Sequence, residues 1–493
     1  MNLRDKGKKD REFGLFIPSW KSMEIALNQV IDSITVKAQQ HDLPAPALQA
    51  FVQAVTKVAQ GSDGLISEAS IEPVNELPTA ASLGELEDIE GLARELAVVK
   101  LNGGLGTGMG LAGPKSLLKA KGDETFLDII AKQILGVRKR LGGQLPGFYL
   151  MNSFGTQEPS LNFLKRYPGL ADREGRLDFV QSKVPKLDAN TLLPAISEKD
   201  SNLEWCPPGH GDIYPALLSS GILDSLLDQG VKYLFVSNAD NLGATVDFSI
   251  LAHFAQSGAG FMMEVARRTL ADRKGGHLAR RRSDGKLILR ESAQCASDET
   301  ESFQDVGKYR FFNTNNLWIQ LEHLRREFDA REGVLELPII RNRKTLDPRD
   351  ETSLPVLQLE SAMGAAIECF DQSSAIEVPR SRFSPVKATS DLLALWSDAY
   401  VLSDDSQLML SPSRQGQPPV VSLDSKFFKM IADFEDRFRF GVPSLIACEK
   451  LEVAGDVDFS AGVVCEGKVR IENRKDQRQT VPAGVYADSV VSL

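Results

Sequence analysis

The stretch Lys100–Leu118, KLNGGLGTGMGLAGPKSLL, decides the fold because it joins an apolar strand to a glycine-rich turn. The residues before it, Leu96–Val99, are all apolar and predict a buried strand that must turn sharply where the glycines begin. Without side chains at these glycines, a phosphate-bearing ligand can approach main-chain N–H groups. The stretch therefore predicts a phosphate-binding loop at the end of a strand, with a flexible turn beside a surface lysine as the alternative.

Spacing separates this loop from two familiar phosphate-binding loops. A dinucleotide fingerprint requires G-x-G-x-x-G, but here the glycines recur at every second position and Met109 stands where the third glycine belongs. A Walker loop requires its lysine directly after the last glycine. Here Pro114 separates Gly113 from Lys115 and has no N–H to offer a phosphate. The loop is glycine-rich and cationic, but it belongs to neither class.

The stretch closely resembles the nucleotide-binding signature of the UTP–glucose-1-phosphate uridylyltransferases, also called UDP-glucose pyrophosphorylases. In that family the loop surrounds the nucleotide. The resemblance implies that Leu101, Asn102, Gly103 and Gly104 bind the nucleotide, and that Lys115 is a catalytic residue that contacts its phosphates. Four further blocks resemble the same family in the same order.

The second block is Val236–Val246, VSNADNLGATV, in which an apolar strand ends at Asn238 and Asp240. Nucleotidyl transfer needs a hard oxygen ligand there, because Mg²⁺ binds carboxylate and phosphate oxygens and neutralises charge as the α-phosphorus is attacked. We predict that Asp240 binds the metal and the nucleotide. Asn and Asp also suit an ordinary turn. The resemblance to the family's SN-x-DNLGA motif favours the metal site and implies that Asn238 lies on the sugar-phosphate side.

The third block is Trp205–Tyr214, WCPPGHGDIY, which holds a histidine in a loop stiffened by prolines and framed by glycines. Most histidines are structural or merely exposed. Because the family's PPGHGD motif matches without a departure, the resemblance implies that Gly209 touches the nucleotide and His210 the sugar phosphate. Upstream, FVQSK places Gln181 where relatives carry the glutamine that reads the uracil edge.

The fourth block is Lys308–Trp318, KYRFFNTNNLW, whose three clustered asparagines supply donors and acceptors suited to sugar hydroxyls. Such a cluster also makes an ordinary loop or cap. In the family an asparagine of this run contacts glucose, and we favour Asn315, with Asn313 second. Glu264 and Lys274 also resemble positions on the sugar side of the family's site.

The fifth block is Val378–Leu392, VPRSRFSPVKATSDL, with the cations Arg380, Arg382 and Lys387 in a segment held by two prolines. Phosphate recognition in a stiff loop requires this combination, although a solvated basic loop is the alternative. Relatives carry VPRSRF-x-PVK-x-TSDLL with a catalytic lysine, and Lys387 matches that position.

Strands and helices alternate from Leu96 onward. Apolar runs predict strands at Phe148–Leu150, Tyr233–Val236 and Phe261–Val265, with a helix over residues 215–229 between the first two. Such alternation predicts an α/β fold with a Rossmann-like, mixed and mostly parallel sheet, helices on both faces and ligands at the carboxyl ends of the strands. This is the nucleotide-diphospho-sugar transferase type that the resemblance implies.

The two ends of the chain differ from this middle part. Residues 1–95 are predicted to form a helical N-terminal segment, in which the acidic stretch from Gly61 to Glu90 is interpreted as a connector. Residues 96–410 are predicted to form the catalytic domain. Residues 411–493 begin with a proline-containing linker and continue in short β steps broken by glycine, which suggest a small β-solenoid or a sandwich edge. The resemblance implies a left-handed β-helix.

Composition narrows the classes of function. A net charge of −10 argues against nucleic-acid and anionic-membrane binding, and we assign the arginine-rich stretch 267–282 mainly to a solvated face and a hairpin. The five scattered cysteines suggest neither disulfides nor zinc. The first 18 residues have too few apolar positions for a signal peptide, and no apolar run is long enough to cross a bilayer. A cytoplasmic protein fits best.

The five blocks together imply an enzyme that converts UTP and glucose 1-phosphate to UDP-glucose and pyrophosphate with Mg²⁺. Its partners are these two substrates, and an oligomer built through the C-terminal domain remains open. Uridylyl transfer to galactose 1-phosphate or N-acetylglucosamine 1-phosphate is a competing interpretation. Gly108 disfavours the N-acetyl sugar, because relatives that use it usually carry an arginine there in a shorter loop. A hexapeptide-repeat acyltransferase would need a longer tail than this chain has, whereas a non-catalytic sensor of UDP-sugars would carry the same binding motifs.

Overall fold

The computed structural model describes residues 20–84, 88–143, 146–172 and 174–493. The first 18 residues, in which we predict no signal peptide, lie outside the described residues. Among the described residues, no helix has both the length and the apolar character needed to cross a membrane.

The helices begin and end at the following residues: α1 Trp20–Gln39, α2 Ala45–Ala59, α3 Ile89–Arg94, α4 Phe126–Arg140, α5 Gln157–Leu164, α6 Ile213–Ser219, α7 Ile222–Asp228, α8 Phe248–Ser257, α9 Thr300–Gln304, α10 Leu321–Ala330, α11 Thr389–Trp396, α12 Ser425–Phe428 and α13 Ile431–Arg437. The first turn of α4 shows how the sequence determines where a helix begins. Thr125 accepts a hydrogen bond from the N–H of Asp128, whose carboxylate accepts one from the N–H of Thr125 in return. This capping box satisfies two backbone donors that the first turn leaves without partners.

Ten strands form the large sheet: β1 Ile71–Pro73, β2 Leu96–Asn102, β5 Gly147–Asn152, β6 Asp178–Val180, β10 Tyr233–Asn238, β11 Phe261–Arg267, β12 His277–Arg281, β13 Leu287–Arg290, β14 Phe311–Gln320 and β17 Ser373–Glu377. The strand order is β1-β12-β14-β10-β2-β5-β6, and β11 lies between β14 and β17. The predicted α/β fold with a mixed sheet is confirmed.

The pairing of these strands brings distant motifs to one edge. β10, β2, β5 and β6 are parallel neighbours, and the register sets Asn152 beside Asn102 and Leu101 beside Asn238. β14 is antiparallel to both β10 and β11, so β11 runs in the same direction as β10. The carboxyl ends of β2, β5, β6, β10 and β11 therefore meet at one edge, where ligands collect in sheets of this kind.

Shorter strands surround the sheet: β3 Lys119–Lys121, β4 Glu124–Thr125, β7 Val184–Pro185, β8 Leu187–Asp188, β9 Trp205–Cys206, β15 Ile339–Thr345, β16 Pro355–Ser361, β18 Tyr400–Leu402 and β19 Leu408–Leu410. The tail adds β20 Val420–Leu423, β21 Ser444–Ala454, β22 Val457–Phe459, β23 Val463–Glu472, β24 Gln479–Val481, β25 Gly484–Ala487 and β26 Val490–Ser492. All strand pairs within the tail are parallel, in the order β20-β21-β23-β25 with β26 also beside β23, and β22 beside β24.

One hydrophobic cluster joins the tail to the sheet. Val98 of β2 and Phe126 of α4 belong to the same buried cluster as Leu451 and Ile471 of the tail, with Phe434 of α13 among its members. Burial of apolar surface is the main stabilising contribution in a fold of this size. The last strands of the chain therefore share a core with the sheet that carries the candidate site.

Two details of the sequence prediction are wrong. The helix predicted over 215–229 is two helices, α6 and α7, because Gly221 adopts a positive φ of 72° that breaks the helical path. The connector predicted from Gly61 to Glu90 contains β1, which pairs with β12 at the edge of the large sheet. A strand of three residues is too short to show a recognisable period.

Candidate active site

A cleft of about 860 Å³ opens at the edge where the parallel strands end. Its lining includes ten residues predicted for the site: Leu101, Asn102, Gly103, Gly104, Lys115, Gln181, Gly209, His210, Asn238 and Asp240. They come from three of the five sequence blocks and the FVQSK stretch. The structure thus brings the predicted nucleotide-binding residues together around one cavity.

The glycine-rich loop folds back on itself. The N–H of Lys115 donates to the carbonyl oxygen of Gly104 at 3.0 Å, which returns the lysine to the start of the loop. Gly103 lies close to Gln181, since a Cβ there would lie 2.9 Å from Oε1 of that residue. Asn102 is buried, and its amide donates to Oδ1 of Asn152 and Oγ of Ser160. That side chain therefore braces the strand ends at the edge of the cleft.

Lys115 and Lys387 converge on one carboxylate. Their ammonium groups lie 2.8 and 3.4 Å from Oδ2 of Asp240. The side chain of Lys387 is 61% exposed, so it can turn away from this contact, whereas that of Lys115 is mostly buried. The carbonyl oxygen of Val386 also accepts a hydrogen bond from Lys115. Lys387 is outside the cleft lining but reaches it through Asp240.

The second carboxylate oxygen of Asp240 has no partner among the residues that the structure describes. Oδ1 is buried and accepts no hydrogen bond from the described residues, a costly state for a carboxylate oxygen. Within the described residues no group of three His, Cys, Asp or Glu side chains could enclose a metal ion. A cation at Asp240 would therefore take its other ligands from substrate and water, as Mg²⁺ commonly does.

Gln181 is oriented by a contact with the PPGHGD loop. Its Nε2 donates to the carbonyl oxygen of Gly209 at 2.9 Å, which leaves Oε1 beside Gly103 as an acceptor. Gly209 itself has φ of 83°, and a Cβ there would lie 2.4 Å from the carbonyl oxygen of Ser361. The glycine is needed both for this backbone conformation and for the close approach.

His210 is held as a neutral donor. Its Nδ1 accepts a hydrogen bond from the N–H of Met363 at 2.9 Å, so the proton of the neutral ring lies on Nε2. Burial, with a further contribution from the charge of Lys387, lowers the pKa of His210 to about 4. At neutral pH this residue therefore offers one N–H and no positive charge.

The predicted asparagines lie in a β-bulge outside the cleft lining. The register between β11 and β14 shifts after the pair Glu264 and Asn316, so that Val265 faces Asn313. Asn315 adopts a positive φ of 60° in this bulge, and its side chain accepts a hydrogen bond from Nδ2 of Asn313 at 2.7 Å. Bulges of this kind recur beside active sites, where they redirect side chains.

Glu264 is fully buried and fully hydrogen-bonded. Arg382 donates to both of its carboxylate oxygens, at 2.8 and 2.6 Å, while Asn316 and Trp318 donate at 2.9 and 3.0 Å. This ion pair fastens the segment that carries Lys387 to the sheet. Lys274 is exposed on the loop after β11 and lies outside the cleft lining.

Sequence reasoning did not assign Phe154, Lys183 or Trp205 to the site, although all three line the cleft. One signal was available, because Lys183 follows Gln181 by two positions within the FVQSK stretch. Phe154 had no signal of this kind. It follows β5 in a turn, and only the folded chain brings it to the cleft.

Known proteins have a similar sequence and fold. Residues 48–466 match the family model for UTP–glucose-1-phosphate uridylyltransferase. A potato (Solanum tuberosum) enzyme of that name is 42% identical over 80% of this chain and 80% of its own length. A UDP-glucose pyrophosphorylase mutant from Leishmania major, crystallised with UDP-glucose, superposes with a TM-score of 0.90 at 45% identity, covering 94% of this chain and 99% of its own. The structure of a UDP-glucose phosphorylase from Trypanosoma brucei superposes with a TM-score of 0.87 at 45% identity, covering 94% of this chain and 100% of its own.

Proposed function

The chain belongs to the UTP–glucose-1-phosphate uridylyltransferase family, and on that premise we propose how its residues convert UTP and glucose 1-phosphate to UDP-glucose and pyrophosphate. A phosphate oxygen of the sugar phosphate attacks the α-phosphorus of UTP in line, and pyrophosphate leaves. The observation that carries this proposal is the convergence of Lys115 and Lys387 on Asp240 at the cleft.

The attacking oxygen is already anionic, so the enzyme has no proton to remove from it. Its task is to hold two mutually repelling anions in line and to stabilise the charge that shifts to pyrophosphate. We assign Lys115 to the phosphates of UTP and Lys387 to the attacking phosphate. Both ammonium groups lie at one carboxylate oxygen, so both can exchange that contact for phosphate oxygens without a large movement.

Asp240 fits a metal ligand, because its buried Oδ1 has no partner in the described residues. We propose that this oxygen holds Mg²⁺, with the remaining ligands supplied by phosphate oxygens and water. When bound, the ion neutralises charge on the phosphate oxygens around the α-phosphorus. Lys115 on Oδ2 keeps the carboxylate in one orientation.

Gln181 and His210 are assigned to opposite parts of the substrates. Oε1 of Gln181 is the free acceptor of an amide whose donor is used by Gly209, and uracil offers an N3–H where cytosine has none. We assign Gln181 to that edge, beside the backbone of Gly103 and Gly104. His210, neutral and protonated on Nε2, donates to the sugar phosphate, with Asn238 assigned to the same side.

We place the glucosyl group against the bulge formed by β11 and β14. Asn315 and Asn313 supply amide groups there, and Lys274 lies on the loop that joins β11 to β12. Glu264 belongs to the same side. Because its carboxylate already accepts four hydrogen bonds, any contact with the sugar adds to an existing network.

We further propose three structural units: residues 1–95, a catalytic domain of 96–410, and 411–493 with a left-handed β-helix. The parallel pairing of β20, β21, β23 and β25 supports a helical coil of strands.

Val485 and Val490 are 65% and 66% exposed on the last strands, and such edges favour pairing with another chain. They support a homo-oligomer formed through the C-terminal unit. The five cysteines are unpaired, which supports a cytoplasmic location.

Pyrophosphate release tests the proposed reaction. The purified protein is incubated with Mg²⁺, UTP and glucose 1-phosphate, galactose 1-phosphate or N-acetylglucosamine 1-phosphate. Release with glucose 1-phosphate far above the others supports both the reaction and the sugar. Similar release with several sugars supports a broader uridylyltransferase. If folded protein binds UDP-glucose but releases no pyrophosphate with any sugar, the chain is a sensor and the proposal is wrong.

A further inference from the structure

A lysine lies near two aromatic rings in the lining of the cleft. The ammonium of Lys183 lies 5.3 Å from the ring centroid of Phe154 and 4.9 Å from that of Trp205, and all three side chains line the cavity. We call these three residues the Lys183 wall. Phe154 is 64% exposed, an unusual state for a phenylalanine that lines a cavity, whereas Trp205 is backed by the ring of His41 at 4.7 Å.

Lys183 differs in its partners from the two lysines assigned to the phosphates. Lys115 and Lys387 both contact Asp240, but within the described residues Lys183 has neither an ion pair nor a hydrogen bond. The two ring faces stabilise the cation by a modest electrostatic attraction, yet they accept none of its three N–H donors in an ordinary hydrogen bond. The ammonium is therefore held in place with donors still available to a ligand.

The Lys183 wall lies at the end of the cleft assigned to the nucleoside. Lys183 follows Gln181 by two residues, and pairing of Pro185 with Trp205 holds the next strand in register. Phe154 follows Ser153, whose hydroxyl donates to the carbonyl oxygen of Gly103 at 3.0 Å. Gln181 and Gly103 are the residues assigned to the base, so the wall adjoins the base and not the phosphates.

We propose that Lys183 is a specificity-determining residue that donates a hydrogen bond to a carbonyl oxygen of uracil, while Phe154 covers the base. This inference rests on the proposed function. Uracil presents its N3–H between two carbonyl oxygens. Lys183 is two residues from Gln181 and lines the same cleft, so it can supply the donor for a carbonyl oxygen next to the N3–H that Oε1 of Gln181 accepts. A charged donor makes this contact stronger than a neutral one.

The test compares Lys183→Met, which preserves length and removes the charge, with Lys165→Met at an exposed lysine outside the cleft lining. For Lys183→Met we expect KM for UTP to rise about tenfold with kcat nearly unchanged, because a contact made equally in the ground and transition states changes KM alone. The dissociation constant for UMP should rise by a similar factor, and that for pyrophosphate should not change. Lys183→Arg should restore most of the affinity, and Lys165→Met should match the parent.

Two results would overturn the inference. An unchanged dissociation constant for UMP in Lys183→Met would remove the base contact. Equal weakening of UMP and pyrophosphate binding would move the contact to the phosphates. Both measurements use binding alone, so they stay informative if the parent protein releases no pyrophosphate, a result that would reject the proposed function instead. A thermal melt of each variant identifies any loss of folding.

Discussion

Arg380 and Asp272 form a bidentate ion pair, with Nη1–Oδ2 and Nη2–Oδ1 distances of 2.7 and 2.8 Å. The guanidinium also lies over the rings of Phe312 and Phe383, with centroid distances of 4.8 and 5.6 Å. Asp272 belongs to the loop that carries Lys274, and Arg380 to the segment that carries Lys387. The pair therefore fixes the sugar-side loop to the segment of the proposed catalytic lysine.

Asp272→Asn should impair use of the sugar phosphate. Loss of one charge weakens a partly buried bidentate pair, so we expect KM for glucose 1-phosphate to rise about three- to tenfold. KM for UTP should stay near its original value, because the loop of Asp272 is not part of the cleft lining assigned to the nucleotide. Initial rates at varied concentrations of each substrate measure both constants.

The matched control is Asp224→Asn, which weakens an exposed pair with Arg325 outside the cleft lining. Exposed pairs contribute little, so this variant should retain both KM values. An equal change in the two variants would contradict a special role for Arg380 and Asp272.

Lys387→Ala should lower kcat by about a hundredfold or more, because it removes a positive charge placed for the transition state. The fold should survive, since the side chain is 61% exposed. Rapid-quench or steady-state turnover at saturating substrates measures the loss. Lys475→Ala, at an exposed lysine of the tail, is the control, and near-normal turnover of Lys387→Ala would refute the assigned role.

His210→Gln should lower kcat/KM for glucose 1-phosphate by roughly ten- to a hundredfold, the cost of a hydrogen bond to a charged group. Because the pKa of His210 is lowered to about 4, its ring stays neutral from about pH 6 to 8. A plot of kcat/KM against pH should therefore have the same shape for the parent and the variant near about pH 6.5, the ordinary pKa of histidine. A difference in shape there would mean that the charged imidazolium acts instead.

Asp212 should make the free energy of unfolding fall as pH rises. Burial raises its pKa to about 7, although a hydrogen bond from the N–H of Ser182 opposes the shift. Between about pH 4 and pH 7 the folded chain keeps a proton that the unfolded chain releases, so this residue makes stability fall as pH rises. From about pH 5 to 8, the parent should lose about 2 kcal/mol of unfolding free energy relative to Asp212→Asn.

Denaturant titrations of the two proteins at both pH values measure this difference. Asp224→Asn serves again as the control, because it makes the same chemical change at an exposed position outside the cleft lining. A parallel pH dependence in the parent and Asp212→Asn would show that Asp212 is ionised in the folded protein throughout this range.

The sequence predicted the site residues at the strand ends better than the tertiary contacts that hold the site together. Asn102, Asn238 and Gln181 each lie at or just after the end of an apolar strand, and parallel pairing brings such positions together whatever their separation in the chain. By contrast, Arg382 and Glu264 are far apart in the sequence and form their ion pair only in the folded chain. No local sequence pattern around either residue predicts the other as its partner. The same holds for Lys183 and Phe154.

Met430 packs against the glycine-rich loop, where a Cβ on Gly110 would lie 3.1 Å from its sulfur. Met430 leaves the ribosome long after Gly110, and so do the tail residues that share a core with β2. A nascent chain therefore carries its nucleotide loop without the surface that supports it. A chain truncated before Met430 should therefore lack this support and be inactive.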